Sequence, residues 1–567
     1  MVARTPFLGR FGCVCFSIKF QEEQIKTRLT AGFFIPKLCL HKGKFMNYAF
    51  SSLQTTLNYQ DNPAELFHHY CENKPNTLLL ESADVNSKEN LKSLLVIDSA
   101  VKITANNRLV TYEALTENGQ NLLTVIHQKL AAMNVGTDLQ GTTLNAVFPK
   151  ATDHLSEDEK LCSLSIFDGL RVLLTIAQEN LANPEELLMT GLFAYELAYL
   201  FEPVAEENFA KKCADYTFYI AEHMITLDHQ TKQSRLISLV TDHDAGSQIS
   251  RNVKDQHAKL LAKYDDEILK IEKDQFKNES SSVSTNIADD AFGEKVKALK
   301  GYIQQGDVFQ VVPSRQFYVD CPSPFLAYLQ LKKNNPSPYL FYMQDQDFTL
   351  FGASPESALK YTKNSNEVEL YPIAGTRPRG FAKDGSINRD LDSRLELSLR
   401  TDQKELSEHF MLVDLARNDL AKICVPGSRY VADLTKVDRY AYVMHLVSRV
   451  VGQLQGNLDC FHAYQSTMNM GTLTGAPKIR AMQLIHEHEN VPRGSYGGAV
   501  GYFTGKGDFD TCIVIRSAFV QDGIASVQAG AGVVKNSDPR SEMEETKSKA
   551  RSVVNAILQA HQSKEKF

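Results

Sequence analysis

The stretch Tyr371-Pro-Ile-Ala-Gly-Thr-Arg-Pro-Arg-Gly380 places two glycines, two prolines and two arginines within ten residues. Because proline fixes φ and glycine frees it, the segment is predicted to form a rigid turn. Its arginines either lie exposed on that turn, or the backbone N–H groups of Gly375 and Thr376 form a nest that binds an anion. The stretch alone leaves both interpretations open.

Two acidic segments far apart in the chain, Glu405-Leu-Ser-Glu408 and Glu542-Met-Glu-Glu545, each carry carboxylates three residues apart. Residues at that spacing share a helix face, so each segment can direct two carboxylates to one point. Mg²⁺ retains several waters and binds substrate oxygens alongside one or two carboxylates, so such a pair of helices would suit it. The alternative is that both segments are ordinary solvated surfaces.

Small residues and a buried charge accompany these segments. The loops Gly471-Thr-Leu-Thr-Gly-Ala-Pro477 and Ala529-Gly-Ala-Gly532 would allow a ligand close to the backbone, although tight packing explains them equally. Arg516 ends the apolar, strand-like run Cys512-Ile-Val-Ile-Arg516, where an ionised group must be paired or must bind an anion. These features together predict a metal-assisted enzyme that acts on an anion.

Composition excludes several classes of protein. The 567 residues exceed what one core usually supports, and 43% hydrophobic with 23% charged residues is typical of a soluble globular protein. A net charge of -7 argues against nucleic acid as a partner, and no apolar run is long enough for a membrane helix. Ten scattered cysteines without metal-site spacing predict reduced thiols in the cytoplasm. Tryptophan is absent.

Four segments are predicted along the chain. Residues 1–45 form a basic extension outside the fold, before a start at Met46; residues 46–275 form an N-terminal domain, 276–289 a polar linker or loop, and 290–567 a second domain. In the second domain a helix ends at Gly306, and Val308–Val319 follows as a strand. The last helix begins with Ser541 and Glu544 at capping-box spacing, which places Glu542 and Glu545 in its first turn.

Four motifs in order resemble those of the chorismate-binding enzymes, and the likeness extends over nearly all of residues 46–567. They are Pro372-Ile-Ala-Gly-Thr-Arg-Pro-Arg-Gly380, Leu412-Val-Asp-Leu-Ala-Arg-Asn-Asp-Leu420, Gly471-Thr-Leu-Thr-Gly-Ala-Pro-Lys478 and Gln528-Ala-Gly-Ala-Gly-Val-Val534. The chain is most similar to the enteric bacterial members that form anthranilate. The resemblance implies an α+β fold with α/β/β/α layers and two packed, mainly antiparallel sheets. It also implies Mg²⁺-dependent amination of chorismate by ammonia at C2, loss of the C4 hydroxyl and elimination of pyruvate, the first committed step of tryptophan biosynthesis.

The resemblance assigns a role to individual positions. Glu408 and Glu545 match the Mg²⁺ ligands, with Glu405 and Glu542 as nearby or water-mediated partners. The substrate-binding positions are Gly375, Thr376, Tyr496, Arg516, Gly530, Ala531, Gly532 and Lys549. Arg516 suits the enolpyruvyl carboxylate, and the metal would hold the ring carboxylate.

Catalytic roles follow the same resemblance. Glu356 matches the general acid that helps the C4 hydroxyl leave, a task for a carboxyl held protonated. His445 matches the histidine needed to eliminate pyruvate, although a lone histidine beside apolar residues is also an ordinary core residue. Thr472 orients the reacting hydroxyl or caps its loop.

Two positions separate this chain from related chorismate enzymes. Members that use water carry a lysine base where Gln310 stands, and ammonia, itself a nucleophile, needs no such base. Aminodeoxychorismate synthases carry a nucleophilic lysine where Ala374 stands. Both residues favour direct amination over isochorismate or aminodeoxychorismate formation; the other alternative is a non-catalytic subunit that senses tryptophan.

Ammonia and regulation imply two further partners. No cysteine in a glutaminase-like elbow is found, so a separate glutamine amidotransferase subunit is expected to supply ammonia, in a heterotetramer of two large and two small subunits. The resemblance also implies a tryptophan site for feedback inhibition. Its positions are Glu81, Ser82, Lys92, Pro338, Tyr339, Leu340, Val500 and Tyr502. Leu340 replaces a usual methionine, a volume-conserving exchange.

Overall fold

The computed structural model describes residues 50–83, 90–150, 154–205, 211–242, 244, 246–264, 266, 282–440, 442–563 and 567. The predicted basic extension and part of the predicted linker lie outside these residues. Asn47–Phe567 packs as one compact unit. No helix of the described residues combines the length and apolarity that crossing a bilayer requires.

Helices are found throughout the described chain. They are α1 (Pro63–Cys71), α2 (Glu117–Ala132), α3 (Glu157–Leu161), α4 (Asp168–Asn180), α5 (Gln248–Tyr264), α6 (Asp289–Gln305), α7 (Pro324–Asn334), α8 (Arg389–Thr401), α9 (Gln403–Ala421), α10 (Cys460–Thr467), α11 (Gly471–Thr474), α12 (Lys478–Glu489) and α13 (Pro539–Ala560). Two short 3₁₀ helices cover Pro184–Glu186 and Tyr195–Leu200.

Strands alternate with these helices. They are β1 (Ser51–Leu57), β2 (Thr77–Ala83), β3 (Asn90–Asn106), β4 (Leu109–Ala114), β5 (Gly136–Gln140), β6 (Thr143–Val147), β7 (Leu188–Phe193), β8 (Tyr216–Asp228), β9 (Gln233–Val240), β10 (Ser284–Thr285), β11 (Gln310–Val311), β12 (Ser314–Asp320), β13 (Tyr339–Gln344), β14 (Thr349–Ser354), β15 (Ser357–Thr362), β16 (Glu367–Leu370), β17 (Ile373–Pro378), β18 (Tyr430–Arg439), β19 (Val443–Gln453), β20 (Gly475–Ala476), β21 (Ala499–Thr504), β22 (Phe509–Ile513), β23 (Ser517–Gln521) and β24 (Ile524–Gly530).

Two antiparallel sheets share the long strands β3 and β8. The first sheet has the order β1-β9-β8-β3-β2-β13-β14-β23-β24-β12-β10. The second has the order β5-β6-β4-β3-β8-β7-β21-β22-β15-β16-β19, with β17 and β18 also paired to β19. Register shifts between Val96 and Val101 of β3 mark where the pair passes from one sheet to the other.

Three apolar cores define four layers. One core joins the first sheet to α1, α5, α7 and α13, and another joins the second sheet to α2, α4, α9 and α10. The third lies between the sheets, where Phe341 and Leu350 of the first pack with Leu192 and Val500 of the second. The α+β fold with α/β/β/α layers, expected from the sequence, is therefore confirmed.

The two predicted domains are interleaved in both sheets. β2 pairs with β13, and β7 pairs with β21, so strands from before and after the predicted linker lie side by side. Ser284–Thr285, inside that linker, pairs with β12. Hydrogen-bonded strand pairs therefore cross the predicted boundary.

Local chemistry changes three predicted elements. The strand expected over Val308–Val319 is split into β11 and β12, since Pro313 has no N–H to donate to a ladder. β22 ends at Ile513, so Arg516 lies in a turn with φ of 51°. Helix α13 is capped by Asp538, which accepts a hydrogen bond from the Ser541 N–H, and not by a box of Ser541 and Glu544.

Candidate active site

Glu356 lies in the turn between β14 and β15 and is 6% exposed. Burial raises its pKa to about 8, against the opposing effects of the Thr472 side chain, the Ile373 backbone and the charges of Lys549 and Arg516. It lines a small cavity of about 30 Å³ together with Thr472. A carboxyl that is protonated at neutral pH is therefore available to donate a proton in this cavity.

His445 lies on β19 directly across from Thr376 of β17. The Thr376 hydroxyl is 2.9 Å from His445 Nδ1, and the Tyr440 ring packs edge-on 5.1 Å away. Burial first, and then the charge of Arg516, lower the His445 pKa to about 4. The imidazole is consequently neutral at physiological pH and can accept a proton.

The predicted metal carboxylates come together from two helices. Burial raises the pKa of Glu408 on α9 to about 7; Lys404 opposes this, and Glu405, Glu542 and Glu545 raise it further. Mutual repulsion of this kind requires the four groups to share one region. Helices α9 and α13, which are far apart in sequence, therefore bring their carboxylates near one another.

Cationic side chains occupy part of this cluster. Glu405 pairs with Arg377 at 2.9 Å, and Glu545 pairs with Lys549 at 2.6 Å. Burial would raise the Glu545 pKa, but the Lys549 ammonium outweighs it and the pKa is lowered. Within the described residues, no three acidic, histidine or cysteine side chains form a ready metal cage.

Three buried polar atoms at this site have no hydrogen-bond partner. They are Glu408 Oε1, Gln310 Oε1 and Thr472 Oγ1. Thr472 is close enough to favour the ionised form of Glu356, yet its hydroxyl makes no hydrogen bond of normal geometry. Buried polar groups are normally satisfied, so these orphans indicate a missing ligand or ion.

Glycines bring the backbone against these side chains. Gly375 has φ of 75°, and a Cβ there would lie 3.2 Å from Glu405 Oε2. A Cβ on Gly530 would lie 3.0 Å from the Tyr496 hydroxyl, and one on Gly532 would lie 3.2 Å from Gln310 Nε2. The end of β24, which leads into Ala531, therefore joins Tyr496 and Gln310 at one surface.

Arg516 and Lys549 supply positive charge. Burial lowers the Arg516 pKa, and among the described residues its guanidinium has no carboxylate within 4 Å. The Lys549 ammonium also donates to the Gly530 carbonyl at 3.0 Å. A buried guanidinium with no carboxylate partner among the described residues is available to bind an anion.

A second, larger cavity is lined by seven of the eight predicted inhibitor residues: Glu81, Ser82, Lys92, Tyr339, Leu340, Val500 and Tyr502. Pro338 is not among its lining residues. The Glu81 carboxylate accepts from Tyr328 and Lys332 of α7, each at 2.5 Å. These two hydrogen bonds hold the Glu81 carboxylate against α7, so its charge is already paired within the protein.

Sequence reasoning missed Asp510, which also lines the second cavity. Burial raises its pKa to about 6, and the Tyr339 hydroxyl donates to it at 3.3 Å. The sequence feature that could have identified Asp510 is a carboxylate within the apolar strand Phe509-Asp-Thr-Cys-Ile513, since Arg516 was identified by the same argument.

The two cavities lie on one strand pair. Ser357 of β15 lines the first cavity, and its register partner, Cys512 of β22, lines the second. Ser357 directly follows Glu356, so the strand next to the buried acid pairs with a strand that lines the second cavity.

Comparison with known proteins places this geometry in a family. The model of the chorismate binding enzymes matches residues 134–555. The chain belongs to the chorismate-binding enzyme family. Anthranilate synthase component 1 of Salmonella typhimurium is 54% identical over 510 residues, covering 90% of this chain and 97% of that protein. The Escherichia coli K12 protein of the same name has the same identity and coverage.

Solved structures of chorismate-binding enzymes have the same fold. Anthranilate synthase component I from Streptococcus pneumoniae TIGR4 aligns with a TM-score of 0.59 and 28% identity, covering 82% of this chain and 92% of that one. MenF, the menaquinone-specific isochorismate synthase from Escherichia coli, aligns with a TM-score of 0.65 over 90% of this chain and 95% of its own. At 15% identity, the second likeness concerns the fold alone.

Proposed function

We propose that this chain is the chorismate-aminating large component of an anthranilate synthase. The observation that carries the proposal is the convergence of a protonated carboxyl, a neutral imidazole and an unpaired guanidinium near acidic groups from two helices. Such a set can bind a dianion and move protons in both directions, as amination followed by elimination requires.

The carboxylate cluster fits Mg²⁺. Glu408 Oε1 is buried and has no hydrogen-bond partner, with only the Lys404 ammonium 3.8 Å away; burial and then the neighbouring carboxylates raise the Glu408 pKa, and a divalent cation would relieve that repulsion. Glu408 and Glu545 would hold the ion, with Glu405 and Glu542 next to it. When bound, Mg²⁺ supplies positive charge to the ring carboxylate of chorismate and orients the ring.

The chain's own residues then account for the steps. Arg516 binds the enolpyruvyl carboxylate, and the backbone at Gly375 and Gly530 approaches the ring. Ammonia attacks C2 while Glu356 protonates the C4 oxygen, which leaves as water, and the new C2 ammonium group returns a proton to Glu356. His445 then accepts the C2 proton as the C3–O bond breaks; the released enolpyruvate takes up that proton at its methylene carbon and departs as pyruvate, which leaves anthranilate.

Gln310 and Ala374 favour this reaction over its relatives. Gln310 is buried and cannot activate water as a lysine would, and Ala374 has no nucleophile. An isochorismate- or aminodeoxychorismate-forming enzyme, or a non-catalytic subunit that senses tryptophan, remains the alternative to be tested.

A partner subunit belongs to the proposal. The name component 1 of the relatives implies a second component. We infer that this is a glutamine amidotransferase that delivers ammonia, assembled as two large and two small subunits in the cytoplasm.

Regulation by tryptophan is proposed for the second cavity. The cavity offers apolar surface from Leu340 and Val500 and polar groups from Ser82 and Lys92, which suit an amphipathic aromatic amino acid. Because Cys512 at this cavity pairs with Ser357 beside Glu356, a ligand there can disturb the acid through one strand pair.

The direct test is to incubate the pure chain with chorismate and Mg²⁺ and to follow anthranilate fluorescence. We expect product with ammonium salts, and none with glutamine until the second component is added. Isochorismate or an aminodeoxychorismate product would support a relative's reaction instead. No turnover of chorismate by the folded chain under either condition would contradict the proposal.

A further inference from the structure

Arg493 lies in the segment between α12 and β21, outside all the positions discussed so far. It is 2% exposed, and its guanidinium is held by a full set of acceptors. Nε donates to Glu489 Oε2 at 2.9 Å, Nη1 to the Leu473 carbonyl at 2.7 Å, and Nη2 to the Val312 carbonyl at 2.7 Å. The guanidinium carbon also lies 4.6 Å from the Tyr195 ring centre and 5.5 Å from that of Tyr496.

Each of these contacts adjoins a predicted active-site residue. Leu473 follows Thr472, and Val312 is two residues beyond Gln310. Tyr496 is itself a predicted substrate-binding residue, with its hydroxyl against Gly530. One buried cation therefore contacts three separate segments that form one side of the site.

The Glu489 carboxylate, which is paired with Arg493, links this set to a fourth segment, strand β24. Glu489 Oε1 accepts from the Ser314 N–H at 2.7 Å and from its hydroxyl at 2.8 Å. Ser314 is the register partner of Gly530 on β24. Arg493 and Glu489 together thus also fix the strand that ends in the Gly530-Ala-Gly532 loop.

The Arg493 backbone is fixed independently. Glu196 accepts from the Arg493 N–H at 2.6 Å and from the Gly494 N–H at 2.9 Å. The neighbouring Tyr195 hydroxyl lies 3.2 Å from Thr474 Oγ1, in the same loop as Thr472. The side chain and the backbone of Arg493 are both held where the loop and Tyr496 meet.

We propose that Arg493 is a positioning residue for chorismate amination, which holds the Thr472 loop, the Gln310 segment and Tyr496 in one fixed arrangement. A buried ion pair is weak evidence for stability in itself, and an apolar filling of equal volume would often do as well. A planar guanidinium, however, reaches two carbonyls and a carboxylate in one rigid geometry, which lysine cannot reproduce. The inference rests on the proposed function.

The test compares Arg493→Lys, Tyr195→Phe and the wild type in the ammonium-dependent reaction. Tyr195→Phe keeps the ring over Arg493 and removes only the hydroxyl beside Thr474. Tyr112→Phe is the matched control, because Tyr112 is also fully buried and its hydroxyl donates to the Gly169 carbonyl at 2.8 Å, away from the site. Each protein is assayed for kcat, for KM of chorismate, for its pH profile and for Tm.

We expect kcat/KM of Arg493→Lys to fall at least tenfold. The fall of its kcat/KM on the alkaline side of the pH profile should move to higher pH, because a displaced Thr472 no longer lowers the pKa of Glu356. Tyr195→Phe should show a smaller change of the same kind, and Tyr112→Phe should lower Tm only. A folded Arg493→Lys enzyme with the wild-type kcat/KM and pH limb would overturn the inference.

If Arg493→Lys does not fold, the test depends on Tyr195→Phe alone. If Tyr195→Phe then showed the same kcat/KM and pH profile as Tyr112→Phe, the inference would be overturned. Failure of the proposed function is distinguishable, because the wild type would then form no anthranilate in the same assay.

Discussion

At the scale of single residues, the acid Glu356 depends on burial for its chemistry. Burial disfavours the ionised form of a carboxyl, and the opposing charges of Arg516 and Lys549 do not cancel the effect. The same two cations also lower the pKa of His445, which keeps the imidazole neutral. One protonated acid and one free base therefore coexist at neutral pH, with their protonation set by the same surroundings.

Activity should depend on the Glu356 proton. Since the acid donates only when protonated and its pKa is about 8, kcat/KM should fall as pH rises through about 8. Glu356→Gln should lower kcat about 10²- to 10⁴-fold and remove this limb. The measurement is the pH profile of ammonium-dependent anthranilate formation. A variant that retains the wild-type alkaline limb would show that another group titrates there.

The carboxylate cluster should bind Mg²⁺ in the absence of substrate. At about 100 times its Kd, an ion that binds only the folded state stabilises it by about 2.7 kcal/mol, seen as a rise in Tm. Glu408→Gln should lose most of this rise, yet its Tm without Mg²⁺ should equal or exceed that of the wild type, because one of several repelling carboxylates is gone.

Glu544→Gln is the control for this experiment, since Glu544 is exposed on α13, the helix that carries Glu542 and Glu545. It should respond to Mg²⁺ as the wild type does. An unchanged Mg²⁺ shift in Glu408→Gln would place the ion elsewhere.

The three-residue spacing of carboxylates predicted the acidic helix faces, and a charge at the end of an apolar run singled out Arg516, whereas Glu356 was named only through the resemblance. Arg493 was not found, since Pro492-Arg493-Gly494 has the composition of an exposed turn. Its role depends on carbonyls of Leu473 and Val312, and backbone acceptors leave no trace in a sequence.

At the scale of elements, periodicity predicted the helix that ends at Gly306 and the last helix, and the departures from prediction have local causes. Pro313 splits the strand predicted after Gly306, and the break places Gln310 on a separate short strand paired with Ala476. Asp538 rather than Ser541 caps α13, so Glu542 lies in the first turn and Glu545 in the second. Turn and cap geometry depends on tertiary contacts that periodicity does not contain.

The second cavity is lined by residues of ten strands, and its predicted ligand is tryptophan. Lys92→Met removes a charged group that lines it, and the inhibition constant for tryptophan should rise about tenfold or more, since a charge-assisted hydrogen bond contributes about 1.5–3 kcal/mol. The measurement is inhibition of the ammonium-dependent reaction, with each variant's uninhibited rate as its reference.

Lys129→Met is the matched control, because Lys129 lies on α2 and does not line the cavity. Equal inhibition of both lysine variants would count against a role for Lys92.

At the scale of the whole molecule, the resemblance implied the layers, and the strands of the two predicted domains pair with one another. Serine-rich composition at 276–289 is typical of a linker, yet pairing across it cannot be inferred from composition. Strands that are distant in sequence meet in both sheets, and such long-range pairing is the information that a single sequence least reveals.

Interleaving should make Asn47–Phe567 unfold in one step. Calorimetry should give a single transition, because separating the halves would expose the edges of β2 and β7 and the core between the sheets. A fragment of residues 46–275 expressed alone should lack the near-UV signal of packed aromatics. Two well-separated transitions, or a folded fragment, would show instead that the two predicted domains fold independently.

The strand pair of Ser357 and Cys512 has a practical consequence for producing aromatic compounds in engineered cells. β22 lines the second cavity and pairs with β15 next to Glu356, so we expect substitutions on β22 that relieve the proposed inhibition also to reduce turnover. Arg235 and Gln230 line the same cavity from β9 and from the turn before it, and β9 pairs with β1 and β8; we expect changes there to relieve the proposed inhibition with a smaller loss of turnover.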